Sequence, residues 1–463
     1  MKKIYILAVA FGMLFSSCED FLDKVPSTSL PAGEAITSMS DLRNAINGIG
    51  YSMSRARMTY SADFAILSDL KGSDFRPISD VNQAAPIGRY SITKNDDIPY
   101  HAYSYFYQAL ARVNSVMEAA KSLSNLSGDA TYNDYIGQLY AWRGMLHFDL
   151  ARMFCNAPTA SADVNAPNSG IVLSTAVYAP DYIGVRATLK ETYDQVFRDF
   201  DKALELLANK PNNGYFNYYS VLALRSRAHL YNGTNANALA DAKEVIASPE
   251  YKLYSIEDYT KVWSQEFTSE SLYELKITSV YNAQRNSVGY YCDASGYGEC
   301  GFVTGEGTLY EYLTTHPEDV RSKMVKEQVT GYAGAYPAKY PGRDGLYVNN
   351  PKVIRLSEVY LIAAEAALKT GEEDAASYIN TLRKNRIKDY SEVESVTLEE
   401  ILFERRIELF AENSGAWDYW RNKLSVKNFA VGEVNYDDYR TIFPIPQAEI
   451  DIAPGILIQN PKY

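Results

Sequence analysis

Cysteine and histidine are scarce in this chain, and their scarcity restricts the chemistry that it can perform. Its 463 residues include four cysteines and four histidines, and neither an HExxH nor a CxxC pattern occurs. Structural zinc sites need several such ligands at short spacing. We therefore expect no metal site built from these residues and no cofactor. The sequence neither indicates nor excludes a structural calcium site, because oxygen ligands leave no reliable signature outside a recognised loop.

Excess positive charge and long apolar runs are also lacking. The chain has 45 Lys and Arg residues against 57 Asp and Glu residues, a formal net charge of −12. This balance provides no global basic field for phosphate backbones, so nucleic-acid binding is not expected. A membrane-spanning helix needs about 20 apolar residues. The run Ile4–Phe15 is shorter than that, and no later run is long enough.

The amino terminus has the layout of an export signal. Two lysines precede the apolar run, and two serines and then Cys18 follow it. This pattern predicts a secretory signal over residues 1–17. A cysteine directly after the small residues resembles a bacterial lipobox, in which Cys18 is lipidated and becomes the first residue. The alternative is an ordinary signal peptide with a chance cysteine at this position.

Three cysteines remain beyond Cys18. An exported chain meets oxidising conditions, and Cys292 and Cys300 are close enough in sequence to close the loop YCDASGYGEC with a disulfide. Cys155 would then be a lone thiol, most simply a buried one.

Tyrosine is the abundant aromatic residue. The chain has 39 Tyr, 17 Phe and 4 Trp residues. Most rings therefore carry a polar tip, which suits half-exposed contact surfaces as well as cores. This mixture favours a binding protein.

Hydrophobic periodicity predicts a mainly α-helical chain. Apolar residues recur at helical spacing over 189–207, and Thr188 with Glu191 forms a capping box at the start. A similar apolar stripe covers 136–154. A second capping box opens a helix predicted over 397–412.

Two helix pairs share one layout along the chain. A helix rich in small residues ends near Gly233 in one pair and near Gly371 in the other, and a second helix begins at once. Aligning the two glycines places Ala228 opposite Ala366. Small residues let helices approach closely, which is typical of tetratricopeptide-like hairpins.

Two segments lack this periodicity and are rich in Gly, Pro and aromatic residues: 71–99 and about 249–351. Long irregular segments in a compact protein are usually functional. Rings on such loops can stack on sugar C–H faces while polar neighbours bind hydroxyls. The candidate ligand-binding residues are Asp74, Phe75, Arg76, Tyr90, Asn95, Tyr100, Tyr290, Tyr291 and Tyr297. Packing within the loops is the alternative role for each tyrosine.

Patterns typical of enzymes are weak in this sequence. Residues 296–301 match GxGxxG, but a phosphate site needs a helix next, and the following FVTGEG is not helical. Glu404 and Glu408 share a helix face, as a glycosidase pair could. Arg405 and Arg406 beside them favour a structural ion-pair cluster instead. We nominate no catalytic residue and predict that the chain is not an enzyme.

Several segments, in order, resemble the SusD/RagB family of outer-membrane lipoproteins. CEDFLDKVPST resembles the family's lipidated start, and Tyr107, Leu110 and Asn114 fit its Y-x-x-I-x-x-x-N helix. The segment QLYAWRGMLHFDLARMFCNAP follows, with Cys155 in place of the usual glycine. The later matches are YDQVFRDFDKALELL, KVIRLSEVYLIAAEA, EEILFERRIELFAEN and the ending FPIPQAEIDIAPGILIQNPKY.

The resemblance implies a fold and a division of the chain. The fold would be a superhelix of tetratricopeptide-like helical hairpins with few short strands and an irregular ligand-binding region. After the signal peptide, residues 18–463 would form a single unit. Its parts would be a helical portion over about 18–248, the irregular insertion over about 249–350, and a closing portion over about 351–463.

The resemblance also implies a function and a location. The protein would be lipid-anchored through Cys18 at the outer membrane and exposed at the cell surface. It would bind an oligosaccharide or polysaccharide and pass it to a SusC-like TonB-dependent transporter. Peptide capture of the RagB type is one alternative, and an all-helical glycoside hydrolase is another. The sequence does not identify the glycan.

Overall fold

The computed structural model describes residues 36–79, 83–371 and 374–463, so the predicted signal peptide and Cys18 lie outside the described residues. Within the described ranges the helices are α1 Met39–Ser52, α2 Leu67–Lys71, α3 Ala85–Gly88, α4 Asp97–Ala119, α5 Ala130–Phe154, α6 Leu189–Leu206, α7 Tyr218–Asn232, α8 Asn235–Ile246, α9 Val288–Tyr291, α10 Leu309–Thr315, α11 Leu356–Thr370, α12 Ala375–Lys384, α13 Leu398–Leu409, α14 Gly415–Trp420 and α15 Gln447–Ile452.

The strands are short and pair only in twos within the described residues. They are β1 Phe75–Arg76, β2 Ser271–Glu274, β3 Gly301–Phe302, β4 Val325–Gln328, β5 Gly334–Pro337, β6 Lys352–Arg355, β7 Val426–Asn428 and β8 Gly432–Val434. The pairs β1–β3, β2–β6, β4–β5 and β7–β8 are all antiparallel. The predicted fold class, mainly helical with few short strands, is confirmed.

The longer helices form a superhelix in which each element packs against the next. Contacts run in the order α1, α4, α5, α6, α7, α8, α11 and α12. The chain thus leaves the superhelix after α8 and returns to it at α11. Between these two helices lies the irregular insertion, where helices have at most seven residues and strands at most four.

Close approach between helices depends on residues with little or no side chain. A Cβ atom on Gly144 of α5 would lie 2.9 Å from ring carbons of Phe200 on α6. Ala228 on α7 and Ala366 on α11 are fully buried. Interiors are packed densely enough that larger side chains here would force the helices apart.

The helix ends follow the local sequence as predicted. Thr188 with Glu191 and Thr397 with Glu400 each form a complete capping box. At the other end, α7 and α11 stop at glycines in the left-handed conformation, with φ of 76° at Gly233 and 79° at Gly371. Glycine adopts this conformation without the penalty that a Cβ atom imposes.

Helix α13 ends earlier than predicted, at Leu409 rather than about Glu412. The buried carboxylate of Asp69 accepts backbone hydrogen bonds from Ala411 at 3.0 Å and from Asn413 at 2.7 Å. Both residues have positive φ, 56° and 63°. The tertiary contact with Asp69 therefore overrides the helical pattern.

Buried ion pairs join the insertion to the helices. Glu408 on α13 pairs with Arg321 at 3.1 Å, with Arg355 at 2.5 Å and with Arg386 at 3.0 Å. All three guanidinium groups are at most 1% exposed. The other members of this arginine–glutamate network are Asp319, Glu270, Glu404, Glu412, Lys339 and Arg383.

The network confirms a structural role for Glu404 and Glu408 but corrects their partners. Arg405 instead pairs with Asp418 at 2.7 Å, and Arg406 pairs with Asp74. The reason is that residues adjacent on a helix point to different faces. Both glutamates are fully occupied by arginines from distant segments, so neither faces a cleft.

Among the described residues, no helix has both the length and the apolar character needed to cross a bilayer.

We expect Glu408→Gln to destabilise the protein by about 3–5 kcal/mol, because it leaves three buried guanidinium groups short of one negative charge. Burial alone would raise the pKa of Glu408, but Arg386, Arg355 and Arg321 hold it well below its usual range. Urea unfolding at pH 7 measures the loss. Glu394→Gln, at an exposed loop position, is the control and should change stability by less than about 0.5 kcal/mol. Equal stability of the two variants would contradict the prediction.

Candidate ligand-binding surface

The two irregular segments singled out by composition meet in space. Strand β1 pairs with β3 so that Arg76 lies opposite Gly301. The backbone N–H of Ile78 donates to the carbonyl of Gly298 at 2.9 Å, and the N–H of Val303 donates to the carbonyl of Asp74 at 2.8 Å. The early segment and the insertion therefore form one continuous junction.

A cluster of three tyrosines lies at this junction, and we call it the tyrosine cluster. The ring centroids of Tyr290 and Tyr297 are 6.0 Å apart. Tyr290 also stacks with Tyr347 at 6.4 Å and an interplanar angle of 10°. All three side chains are half-buried. Each comes from a different element: α9, the loop after it, and the segment before β6.

Close backbone packing positions the tyrosine cluster. A Cβ atom on Gly296 would lie 2.3 Å from the carbonyl oxygen of Tyr290, and one on Gly289 would lie 1.8 Å from that of Leu346. The N–H of Tyr297 donates to the Tyr290 carbonyl at 2.9 Å. The glycines thus let three backbone segments touch, which brings their rings together.

Four of the predicted ligand-binding residues lie in the interior. Asp74 is ion-paired with Arg406, and the ring centroid of Phe75 lies 4.7 Å from that of Phe302. Tyr90 donates its hydroxyl hydrogen bond to the carbonyl of Lys71 at 2.6 Å. Tyr291 is fully buried. These four residues hold the loops in place, and their side chains do not form part of an accessible surface.

The other five remain predictions with accessible side chains. Arg76 is exposed on β1, and Asn95 is exposed in the loop before α4. Tyr100 is 41% exposed in the first turn of α4, where its ring lies 5.8 Å from His101. Tyr290 and Tyr297 are in the tyrosine cluster.

Sequence reasoning missed Tyr347 and two rings on α4. His101 stacks with Tyr105 at 5.3 Å and 5°, which extends the aromatic strip that Tyr100 begins. Tyr347 lies far along the chain from Tyr290. The sequence GYAGAYPAKYPGRDGLY, which contains Tyr347, is as rich in tyrosine and glycine as the loop YCDASGYGEC. This composition is the signal that indicates Tyr347.

Next to the junction lies a polar group centred on Arg57, whose side chain is 19% exposed. Its Nε atom donates to Asp63 at 3.3 Å and its Nη2 atom to the carbonyl of Gln83 at 3.1 Å. Glu299 accepts a hydrogen bond from the backbone N–H of Ala84. Glu299 thereby ties the insertion loop to the early segment.

Glu299 is held in an unfavourable environment for a charged carboxylate. Burial, together with the negative charge of Asp63, raises the pKa of Glu299 to about 8. Its Oε1 atom has no hydrogen-bond partner among the described residues. At neutral pH this carboxyl group is therefore largely protonated.

The GxGxxG letters at 296–301 run into β3 and not into a helix. They therefore lack the helix N-terminus that cradles a phosphate. In the part of the chain that the structure describes, no group of three or more His, Cys, Asp or Glu residues is arranged to hold a metal ion.

The fold and the site together define a class of proteins in which a superhelix of helical pairs supports an aromatic surface made of loops. Comparison with known proteins identifies this class. A family model described as "Starch-binding associating with outer membrane" matches residues 20–230, and the SusD family model matches residues 285–463. A SusD superfamily protein from Bacteroides thetaiotaomicron is 30% identical, with a TM-score of 0.84 over 92% of this chain and 100% of that chain.

The chain belongs to the SusD/RagB family, as the sequence resemblance predicted. SusD-like protein P38 of Formosa agariphila is 21% identical over 100% of this chain and 99% of that relative. A solved laminarin-binding SusD-like protein has a TM-score of 0.74 at 20% identity, over 92% of this chain and 99% of that chain. This last likeness concerns the fold.

We expect Glu299→Gln to change how stability depends on pH. The folded pKa of about 8 lies above the ordinary value of 4.5, so the folded state binds the extra proton and stability falls as pH rises between these two values. Glutamine cannot ionise and escapes this loss. Thermal melts at pH 5 and pH 9 should show the variant gaining on the parent by at least about 2 °C at the higher pH.

The difference in melting temperature between variant and parent is the informative quantity, because other groups also titrate between pH 5 and pH 9. Burial raises the pKa of Asp69 to about 8 and lowers the pKa of Lys71 to about 7. Those groups cancel in the comparison. A difference that stays constant from pH 5 to pH 9 would show that Glu299 does not carry the raised pKa.

Proposed function

We propose that this protein is a glycan-binding lipoprotein of the outer membrane and that the tyrosine cluster forms part of its binding surface. The observation that carries the proposal is the half-buried set of Tyr290, Tyr297 and Tyr347, built at the junction of two irregular segments. The family model described as starch-binding and the laminarin-binding relative support a glycan as the ligand.

Tyrosine rings suit this ligand for a physical reason. A sugar ring has an apolar face of C–H groups and a rim of hydroxyls, so it stacks on an aromatic face while polar side chains bind its edge. Arg76 and Asn95 are exposed on the early segment and supply donors and acceptors of this kind. Their participation is part of the proposal.

The proposed activity is capture without bond cleavage. Glycosidases place two carboxyl groups on opposite sides of the scissile bond. The pair that the sequence offers, Glu404 and Glu408, is buried against arginines. The family model is described as starch-binding and one solved relative as laminarin-binding, and these descriptions support the assignment.

The proposed partner is a SusC-like TonB-dependent transporter, to which the captured glycan would pass. The proposed anchor is lipid on Cys18, which would hold the protein at the cell surface. Support comes from the family description, which associates its members with the outer membrane, and from the lipobox-like sequence before Cys18. Two or more acyl chains are enough for stable anchoring.

Isothermal titration against a glycan panel that includes laminarin and starch tests the binding proposal. We expect one glycan to bind with micromolar to millimolar affinity and Tyr297→Ala or Tyr347→Ala to weaken it by roughly tenfold, about 1.4 kcal/mol. Tyr297→Phe keeps the ring and should retain most of the affinity if stacking dominates.

Tyr182→Ala is the matched control for these variants. Tyr182 is 50% exposed and stacks on Tyr178 at 4.1 Å, so its removal deletes a comparable surface ring outside the junction. Affinity should stay unchanged. The proposal would be contradicted if the protein bound peptides and none of the glycans. It would also be contradicted if Tyr182→Ala and Tyr297→Ala lowered the affinity equally.

Metabolic labelling with a fatty acid tests the anchor. The parent protein should incorporate label and sediment with outer membranes, whereas Cys18→Ser should lose both properties. Cys155→Ser serves as the control, since Cys155 is buried and should not affect either property. Labelling that persists in Cys18→Ser would overturn this part of the proposal.

A further inference from the structure

Cys292 and Cys300 are neighbours in the folded chain. Both side chains are fully buried free thiols, and they lie close enough for the Cys292 thiol to contribute to the raised pKa of Cys300. The third described cysteine, Cys155, lies outside this loop, directly after α5.

The backbone fixes this proximity independently of the side chains. The N–H of Cys300 donates to the carbonyl of Tyr291 at 2.9 Å, and the N–H of Cys292 donates to the carbonyl of Val288 at 2.9 Å. The chain thus leaves α9 at Cys292 and returns to its end at Cys300. A disulfide needs Cα atoms within about 7 Å of each other, and a hydrogen bond to the residue before Cys292 provides that.

We propose that Cys292 and Cys300 are joined by a disulfide in the exported protein, and that this bond fixes the loop that carries Tyr297 in the tyrosine cluster.

The reaction balances with a disulfide-bearing oxidant of the export compartment. Two S–H bonds break and one S–S bond forms between the two sulfur atoms. Two electrons and two protons pass to the oxidant's disulfide, which becomes a dithiol by thiol–disulfide exchange. The inference rests on the proposed function in one respect only, because this oxidant is available to the protein only if the protein is exported.

The bond would constrain a loop whose contacts matter for the junction. Between the two cysteines lie Tyr297, whose N–H donates to the Tyr290 carbonyl, and Glu299, which accepts from Ala84. Gly298 has φ of 58°, and a Cβ atom there would lie 2.6 Å from Tyr332. A covalent link between the two ends of the loop lowers the conformational entropy of the unfolded chain. Less entropy is then lost on folding, and the folded state is stabilised.

The order of events follows from burial. Burial and the neighbouring Cys292 thiol raise the pKa of Cys300 well above its usual range. The thiolate, which is the attacking species, is therefore scarce once the protein has folded. The bond should form during folding, before the loop closes over the sulfur atoms.

Peptide mapping tests the bond directly. The Cys18→Ser chain is exported into the oxidising periplasm of a bacterial host, then denatured with an alkylating reagent and digested with trypsin. Both cysteines fall in one tryptic peptide, 286–321, because no Lys or Arg lies between Asn286 and Arg321. We expect this peptide unalkylated and lighter by two hydrogen atoms than after reduction, with Cys155 alkylated.

The result that overturns the proposal is alkylation of Cys292 and Cys300 to the same extent as Cys155, or linkage of either to Cys155. Neither result depends on any glycan, so failure here is distinct from failure of the proposed function. Refolding the same chain with oxidised glutathione provides the bond without export and should yield the same peptide.

Thermal melts test the consequence for the loop. The oxidised Cys18→Ser chain should melt about 3–5 °C above the same chain after reduction, with the reduced state verified by mass. Cys292→Ser with Cys300→Ser should melt close to the reduced chain and show no response to reductant. Cys155→Ser, the control, should keep the full redox response. Equal melting temperatures of the oxidised and reduced parent would refute the structural role.

Discussion

The arginine–glutamate network is the constraint on which the rest of the structure depends. Arg321, Arg355 and Arg386 come from three segments and converge on Glu408 of one helix. Burying so many charges is tolerable only where each is paired and hydrogen-bonded. The insertion has short elements and little regular backbone bonding of its own, so this network fixes its position relative to the superhelix.

The candidate surface is a consequence of that fixed position. Once the insertion is held, β3 can pair with β1 and the loop before it can lie against the early segment. Tyr290, Tyr297 and Tyr347 then meet although they come from separate elements. Tyr291 and Phe75 are buried within the junction, and the polar group around Arg57 and Glu299 joins its two sides.

Local signals in the sequence were enough for the helices but not for the surface. Capping residues such as Thr188 and the glycine at 371 act within a few positions, so the pattern alone predicted those helix ends. The predicted end of α13 was wrong because Asp69, from a distant segment, accepts a hydrogen bond from the backbone N–H of Ala411 and so ends the helix early. Burial of Tyr291 beside accessible Tyr290 could not be predicted, since both lie in a helix of only four residues, which is too short for hydrophobic periodicity to assign their faces.

The residues that anchor the insertion are different from the aromatic residues that its surface displays, and this difference has an evolutionary consequence. The anchors, Glu270, Arg321 and Lys339, are buried against the helical portion, whereas the displayed rings lie on a four-residue helix and on loops that contain glycine. Selection can therefore remodel these segments, lengthen the loops or exchange their aromatic residues without disturbing the buried ion pairs. Paralogues that share this frame can diversify their preferences by loop exchange, and a chimaera that preserves the anchors offers a route to re-targeting the scaffold.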